Sequence, residues 1–132
     1  MTGGHGWLPH AVQIKAVVRA VRDEIGPVLY GLHPHDTRGL GIANALAGLE
    51  EGIRAFDSCL AGLGGCPYAS GASGNVVTED LVFMLESMGF TTGIDLEKLL
   101  DAREVPHAGL PAEELHGQLA KARIPPTFRK AA

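Results

Sequence analysis

The sequence predicts an α/β fold, with βα units arranged around a parallel sheet. Short apolar runs alternate with stretches of helical periodicity from Pro9 to about Gly89. Glycine-containing turns separate these stretches, and there is no internal repeat or low-complexity tail. At 132 residues and 45% hydrophobic content, the chain can bury the core of one domain, or form a piece of one.

The first residues, MTGGHGWLPH, have no regular pattern, so an irregular start is expected over 1–10. Val12, Ile14, Val17, Val18 and Val21 recur near helical spacing, and Gly26 followed by Pro27 is a stop; the predicted helix runs from about His10 to Ile25. VLYGLH has strand composition, Thr37 to Gly41 makes a tight turn, and IANALAGLEE is helical, with Gly52 placed to close it in a left-handed cap. IRAFDSCL repeats the strand signal. After a glycine-rich loop, VTEDLVFMLESMG is amphipathic, with Thr78 available as N-cap and Gly89 as C-cap.

The βα pattern spans 10–93, and from 94 to 132 the character changes. IDLEKLLDARE and AEELHGQLAKA read as charged helices packed outside a sheet, separated by the breaker PHAGLP, and IPPTFRKAA reads as irregular. Two strands are expected, or three if the start contains one. So small a parallel sheet leaves edges and apolar surface open, so the chain is expected to assemble with something or to belong to a larger fold.

A formal charge of −4 without any block of like charges gives no attraction to nucleic acid or to an anionic membrane, and small-molecule or protein partners fit better. The start lacks the pattern of a signal peptide, and no apolar stretch approaches the roughly 18 to 20 residues of a membrane span, so a cytoplasmic location is expected. In that setting Cys59 and Cys66 read as reactive or buried thiols rather than as a structural disulfide.

His33, Pro34 and His35 end the first predicted strand. Residues two apart on a strand point to one side, so both imidazoles can face one point and chelate a metal; the alternative is a pair of polar strand-end histidines. Asn75 reads either as a helix N-cap or as an amide oxygen donor to a hard divalent cation. Glu79 reads either as a complement to the helix dipole or as an acid–base or orienting carboxylate. Cys66 lies in AGLGGCPYASGASGN, a stretch with no charged side chain. Gly64 and Gly65 allow close backbone approach to a ligand, and a thiol there, with a lowered pKa, can donate a proton or act as nucleophile; the alternative is an inert cysteine in a flexible linker. Cys59 reads as buried packing, and Asp57 points inward at the same strand end if the register allows.

Read together, HPHDTRGLGIANALAGLEEGIRAFDSCLAGLGGCPYASGASGNVVTEDLVFMLESMGFTTGIDLEKLL closely resembles the hydroxymethylglutaryl-CoA lyases, a branch of the metal-dependent DRE-TIM lyases. The likeness is dense from about Gly31 to Leu100 and looser from the preceding helix to Phe128. HxHDT, GLGGCPYA and GNVxTEDL, in this order and spacing, carry it.

This resemblance implies the last two or three βα units of a (β/α)₈ TIM barrel, followed by C-terminal helices, with the site at the C-terminal face of the strands. It implies Mg²⁺ or Mn²⁺ held by paired histidines, an asparagine and a first-strand aspartate; His33, His35 and Asn75 match three of these four positions. It implies a retro-Claisen cleavage of 3-hydroxy-3-methylglutaryl-CoA to acetyl-CoA and acetoacetate. His33 would assist removal of the hydroxyl proton and Cys66, on a mobile loop, would protonate the enolate. Glu79 would orient the constellation, with Gly64 and Gly65 close to the acyl-CoA.

The departures also bear on function. The family's first-strand Asp-Arg-Glu motif is missing, MTGGHGWLP stands where the family has a Gly-Asp-Thr strand end, and a barrel takes about 250 residues. The isolated chain is therefore expected to lack lyase activity. Its expected partner, besides an acyl-CoA, is another copy of itself or a missing N-terminal half. The remaining readings are a lyase for a longer branched glutaryl-CoA, a non-catalytic remnant acting through self-association, and a plain metal-binding module.

Overall fold

The computed structural model describes residues 9–65 and 73–129. In chain order it contains α1 (Ala11–Ile25), β1 (Gly31–Leu32), α2 (Gly41–Glu50), β2 (Ala55–Phe56), α3 (Thr78–Ser87), α4 (Leu96–Asp101), α5 (Glu104–Gly109) and α6 (Gln118–Ala122). Short 3₁₀ turns occupy Gly26–Val28 and Leu60–Gly62.

The helix α1 starts and stops where the sequence places it. The His10 ring accepts from the Gln13 N–H, and Gly26, at φ +62°, ends the helix with its N–H on the Arg22 carbonyl. Its apolar residues, however, do not share one buried face. Val18 is buried against α2, whereas Val12, Val17 and Val21 are exposed.

β1 and β2 pair in parallel, Gly31 opposite Ala55 and Leu32 opposite Phe56, as the βα pattern requires. Both strands are shorter than the runs that predict them. Beyond Leu32 the chain turns toward a third segment, where the Val76 N–H donates to the Pro34 carbonyl at 3.1 Å and the Asp36 N–H donates to the Gly74 carbonyl at 2.8 Å. That third segment joins the sheet through a parallel bridge of Cys59 with Val77 and an antiparallel bridge of His35 with Asn75. It precedes α3; the residues before Pro9, where the sequence allows a third strand, lie outside the described ones.

α2 lies on β1 because Gly48 has no side chain: a Cβ there would overlap the Leu32 side chain. Gly52, at φ +87°, closes α2 as expected, with its N–H on the Leu49 carbonyl. Gly89, at φ +89°, closes α3 in the same way. Thr78, expected as the N-cap of α3, is instead its first residue; the cap position is Val77, and the Thr78 hydroxyl is bonded to Ser58 at 2.8 Å.

Successive residues of α3 face two cores. Leu81 packs with Ala45 and Val76, next to Ile42, Phe56, Met84 and Leu85. Val82 packs with Leu96 and Leu119, next to Phe83, Ile94 and Phe128. The terminal helices thus cover the outer side of α3.

In that region two sequence expectations are corrected. The supposed breaker at PHAGLP is largely helical, since α5 carries Pro106 as its third residue, where the N–H has no intrahelical partner to lose. The expected helix AEELHGQLAKA is reduced to α6, because Gly117 sits at φ +126° and the helix begins where the Asp80 carboxylate accepts from the Gln118 and Leu119 N–H groups at 2.8 and 2.7 Å. Residues 123–129 are irregular, as expected. No helix among the described residues is long and apolar enough to cross a membrane.

Candidate active site

Three backbone segments, 33–36, 57–64 and 73–77, converge at the C-terminal ends of β1 and β2. The HPH spacing does what strand geometry predicts: His33 and His35 bring their Nε2 atoms to 3.1 Å, with ring centroids 5.0 Å apart. The bridge between His35 and Asn75 then sets the third candidate ligand beside them.

Asn75 is not a helix cap, since α3 begins three residues later. Its Nδ2 donates to the Leu63 carbonyl at 2.9 Å and to Cys59 Sγ at 3.0 Å, while its Oδ1, buried, has no hydrogen-bond partner. Buried amide oxygens are rarely left so, and a cation is one group that would satisfy it. Gly64, at φ +97°, makes room for this arrangement, because a Cβ would lie 2.6 Å from Asn75 Nδ2. Gly65 passes beside Gly74, where a Cβ would meet the Gly65 nitrogen at 3.0 Å.

Asp57 lies at the same end, mostly exposed, with Oδ2 at 3.5 Å from His33 Nδ1. Cys59 is not simply packed away; it is half-buried and its sulfur accepts from Asn75. Asp36 supports the rim: its carboxylate accepts from the Gly41 N–H at 2.5 Å, holding the start of α2, and its carbonyl accepts from the Ser73 hydroxyl at 2.6 Å.

Glu79 lies elsewhere. It is fully buried, both its oxygens accept from the Ala61 N–H at 3.2 and 3.1 Å, and it is paired with Arg103. The same Arg103 nitrogen donates to the His116 carbonyl at 2.8 Å, and His116 N–H donates to the Ala61 carbonyl at 2.9 Å. Ala61 is itself in the left-handed region at φ +58°. Glu79 therefore braces the turn that leads into the glycine-rich loop. Sequence reasoning missed Arg103 and His116 as partners in this brace. Cys66 falls outside the described residues.

Among the described residues no group of three or more His, Cys, Asp or Glu is gathered for a metal. The donor set at the strand ends is instead two imidazole nitrogens and one orphaned amide oxygen, which suits a divalent cation but leaves half of an octahedral shell to other ligands.

The HMGL-like family model matches residues 8–105. The chain is 53% identical over 89 residues to the mitochondrial hydroxymethylglutaryl-CoA lyase of Macaca fascicularis, a match covering 67% of this chain and 27% of that protein. It is 52% identical over 89 residues to the cytoplasmic 3-hydroxy-3-methylglutaryl-CoA lyase of Rattus norvegicus, covering 67% of this chain and 26% of that one. Among solved structures, an HMG-CoA lyase from Acinetobacter baumannii in complex with coenzyme A and 3-methylmalate superposes with a TM-score of 0.77 at 46% identity, covering 94% of this chain and 40% of that one. A hydroxymethylglutaryl-CoA lyase from Pseudomonas aeruginosa gives 0.80 at 41% identity, covering 87% and 38%. The chain thus spans about a quarter of the length of these curated relatives and about two fifths of these solved chains.

Proposed function

The chain belongs to the HMGL-like family, and from that premise we propose that it supplies the last βα units of a (β/α)₈ lyase barrel and part of its cation site. The observation that carries the proposal is the meeting of His33 Nε2 and His35 Nε2 at 3.1 Å beside Asn75, whose buried Oδ1 has no partner.

The reaction that this site serves is the carbon–carbon cleavage of 3-hydroxy-3-methylglutaryl-CoA. Mg²⁺ or Mn²⁺, when bound to His33, His35 and Asn75, supplies Lewis acidity to the substrate's oxygens. A base takes the tertiary hydroxyl proton, and His33 assists as a ligand of the cation that acidifies it. The O–H electron pair becomes the ketone C=O of acetoacetate, and the pair of the broken carbon–carbon bond leaves as the enolate of acetyl-CoA. Cys66 delivers the proton to that enolate carbon. Glu79 acts at one remove, by holding the Ala61 turn from which the Cys66 loop departs.

Two imidazoles and one amide leave the cation short of ligands, so the isolated chain does not turn over. The test is CoA-thioester cleavage with added Mg²⁺, by the chain alone and mixed with the N-terminal half of a related lyase that carries the Asp-Arg-Glu strand. Activity is expected only in the mixture and is lost with Cys66→Ala. Turnover by the chain alone, or a formed complex without turnover, would overturn the assignment.

A further inference from the structure

We propose that the strand end Asp57–Cys59 is an orienting strip for the cation site: Asp57 sets the ring of His33 and Cys59 sets the amide of Asn75, so that Nε2 and Oδ1 offer their lone pairs to one ion. The proposal rests on the cation-site reading above and adds positioning residues to it.

Alternation along the strand places the two side chains. Asp57 and Cys59 are two apart and reach the ligand side, while Ser58 between them points away and bonds Thr78 at 2.8 Å. On one flank, Asp57 Oδ2 stands 3.5 Å from His33 Nδ1. At that distance the pair is short of a hydrogen bond, but a carboxylate only accepts, so its nearness favours the proton of the neutral ring on Nδ1 and the lone pair on Nε2, the atom that faces His35. A ligating histidine commonly holds its second ring nitrogen in this way.

On the other flank, the Leu63 carbonyl is also an acceptor only, so the amide atom 2.9 Å from it is the NH₂ group. Cys59 Sγ, at 3.0 Å, takes up that group's remaining hydrogen. Both amide hydrogens are then engaged, and Oδ1 is the atom left over in a residue only 8% exposed. A flipped amide would set its NH₂ toward the cation and lose both bonds.

The test measures Mn²⁺ binding to the full chain by electron paramagnetic resonance, together with ¹⁵N NMR of the histidine rings in the metal-free chain at a pH where they are neutral. Asp57→Ala and Cys59→Val are each expected to weaken Mn²⁺ binding by about 10-fold or more, and Cys59→Ser, which keeps an acceptor, to stay near wild type. Asp57→Ala is also expected to shift His33 away from the Nδ1–H tautomer. Wild-type affinity in Asp57→Ala and Cys59→Val, with binding lost in His35→Ala, overturns the orienting strip and leaves the cation site standing. Binding that His35→Ala does not weaken, or no binding by the wild type, sinks the cation site and the proposal with it. Should Cys59→Val unfold, the exposed Asp57→Ala decides: an unchanged His33 tautomer refutes the proposal.

Discussion

Glu79 has the sequence position of a first-turn helix carboxylate, and its tertiary partners change what it does. The dipole of α3 favours a negative charge there. Its oxygens are nonetheless taken up by the Ala61 N–H and by Arg103, 24 residues away, in a fully buried ion pair. A buried pair contributes little net stability over an apolar substitute, but removing one member leaves an uncompensated charge and costs about 3–5 kcal/mol. Arg103→Met is accordingly expected to lower stability by about that amount in urea unfolding. The double variant Glu79→Met with Arg103→Met should recover part of the loss, and not all, because the Ala61 N–H then lacks its acceptor. A loss below about 1 kcal/mol in the single variant would show that the brace carries no charge worth pairing. The HPH pair was legible in the sequence because its geometry is local. The brace was not, because nothing in a linear sequence relates position 79 to 103.

For whole elements, the glycine stops and the helical spacing of α1 both held. Gly26, Gly52 and Gly89 all adopt the positive φ that their places as helix stops require. The apolar residues of α1 do not share one buried face, and polar contacts also tie that helix to α2 and its end: Arg19 bonds Glu51 at 2.8 and 2.6 Å, Lys15 pairs with Glu50 at 2.5 Å, and Arg22 reaches the Glu51 carbonyl. The Arg19 guanidinium, by its hydrogen bonds, holds the Glu51 carboxyl below the ordinary carboxylate range, against the opposing effect of its partial burial; Lys15 and Arg22 add to the lowering. A carboxyl with a depressed folded-state pKa stabilises fully above its unfolded value and loses that contribution as pH falls through the folded one. Docking of α1 should therefore be complete at neutral pH and begin to loosen below the usual glutamate value of about 4.3. Hydrogen exchange of α1 amides across that range checks this. Glu51→Gln should loosen α1 at neutral pH and flatten the acid dependence; an acid response equal to wild type would rule out Glu51 as its source.

At the scale of the molecule, apolar surface remains exposed along α1 and the segment that follows it. Val17, Val21, Ile25 and Val28 recur along one exposed stripe that leads to exposed Tyr30, and among the described residues β1 is paired only with β2. Such a stripe beside an open strand edge favours association. Static light scattering is expected to show mass rising with protein concentration, and Val21→Lys with Val28→Lys to shift the chain toward monomer. A wild-type monomer at every concentration would contradict this. By itself the sequence determined the βα order, the glycine stops, the paired histidines and the family, because each is written in neighbouring residues or in short spacings. Only the tertiary structure decided that Asn75 is no helix cap, that Glu79 braces a turn, and that Asp57 and Cys59 lie beside His33 and Asn75. Those roles depend on strand register and on contacts between distant segments, which are settled when the chain packs.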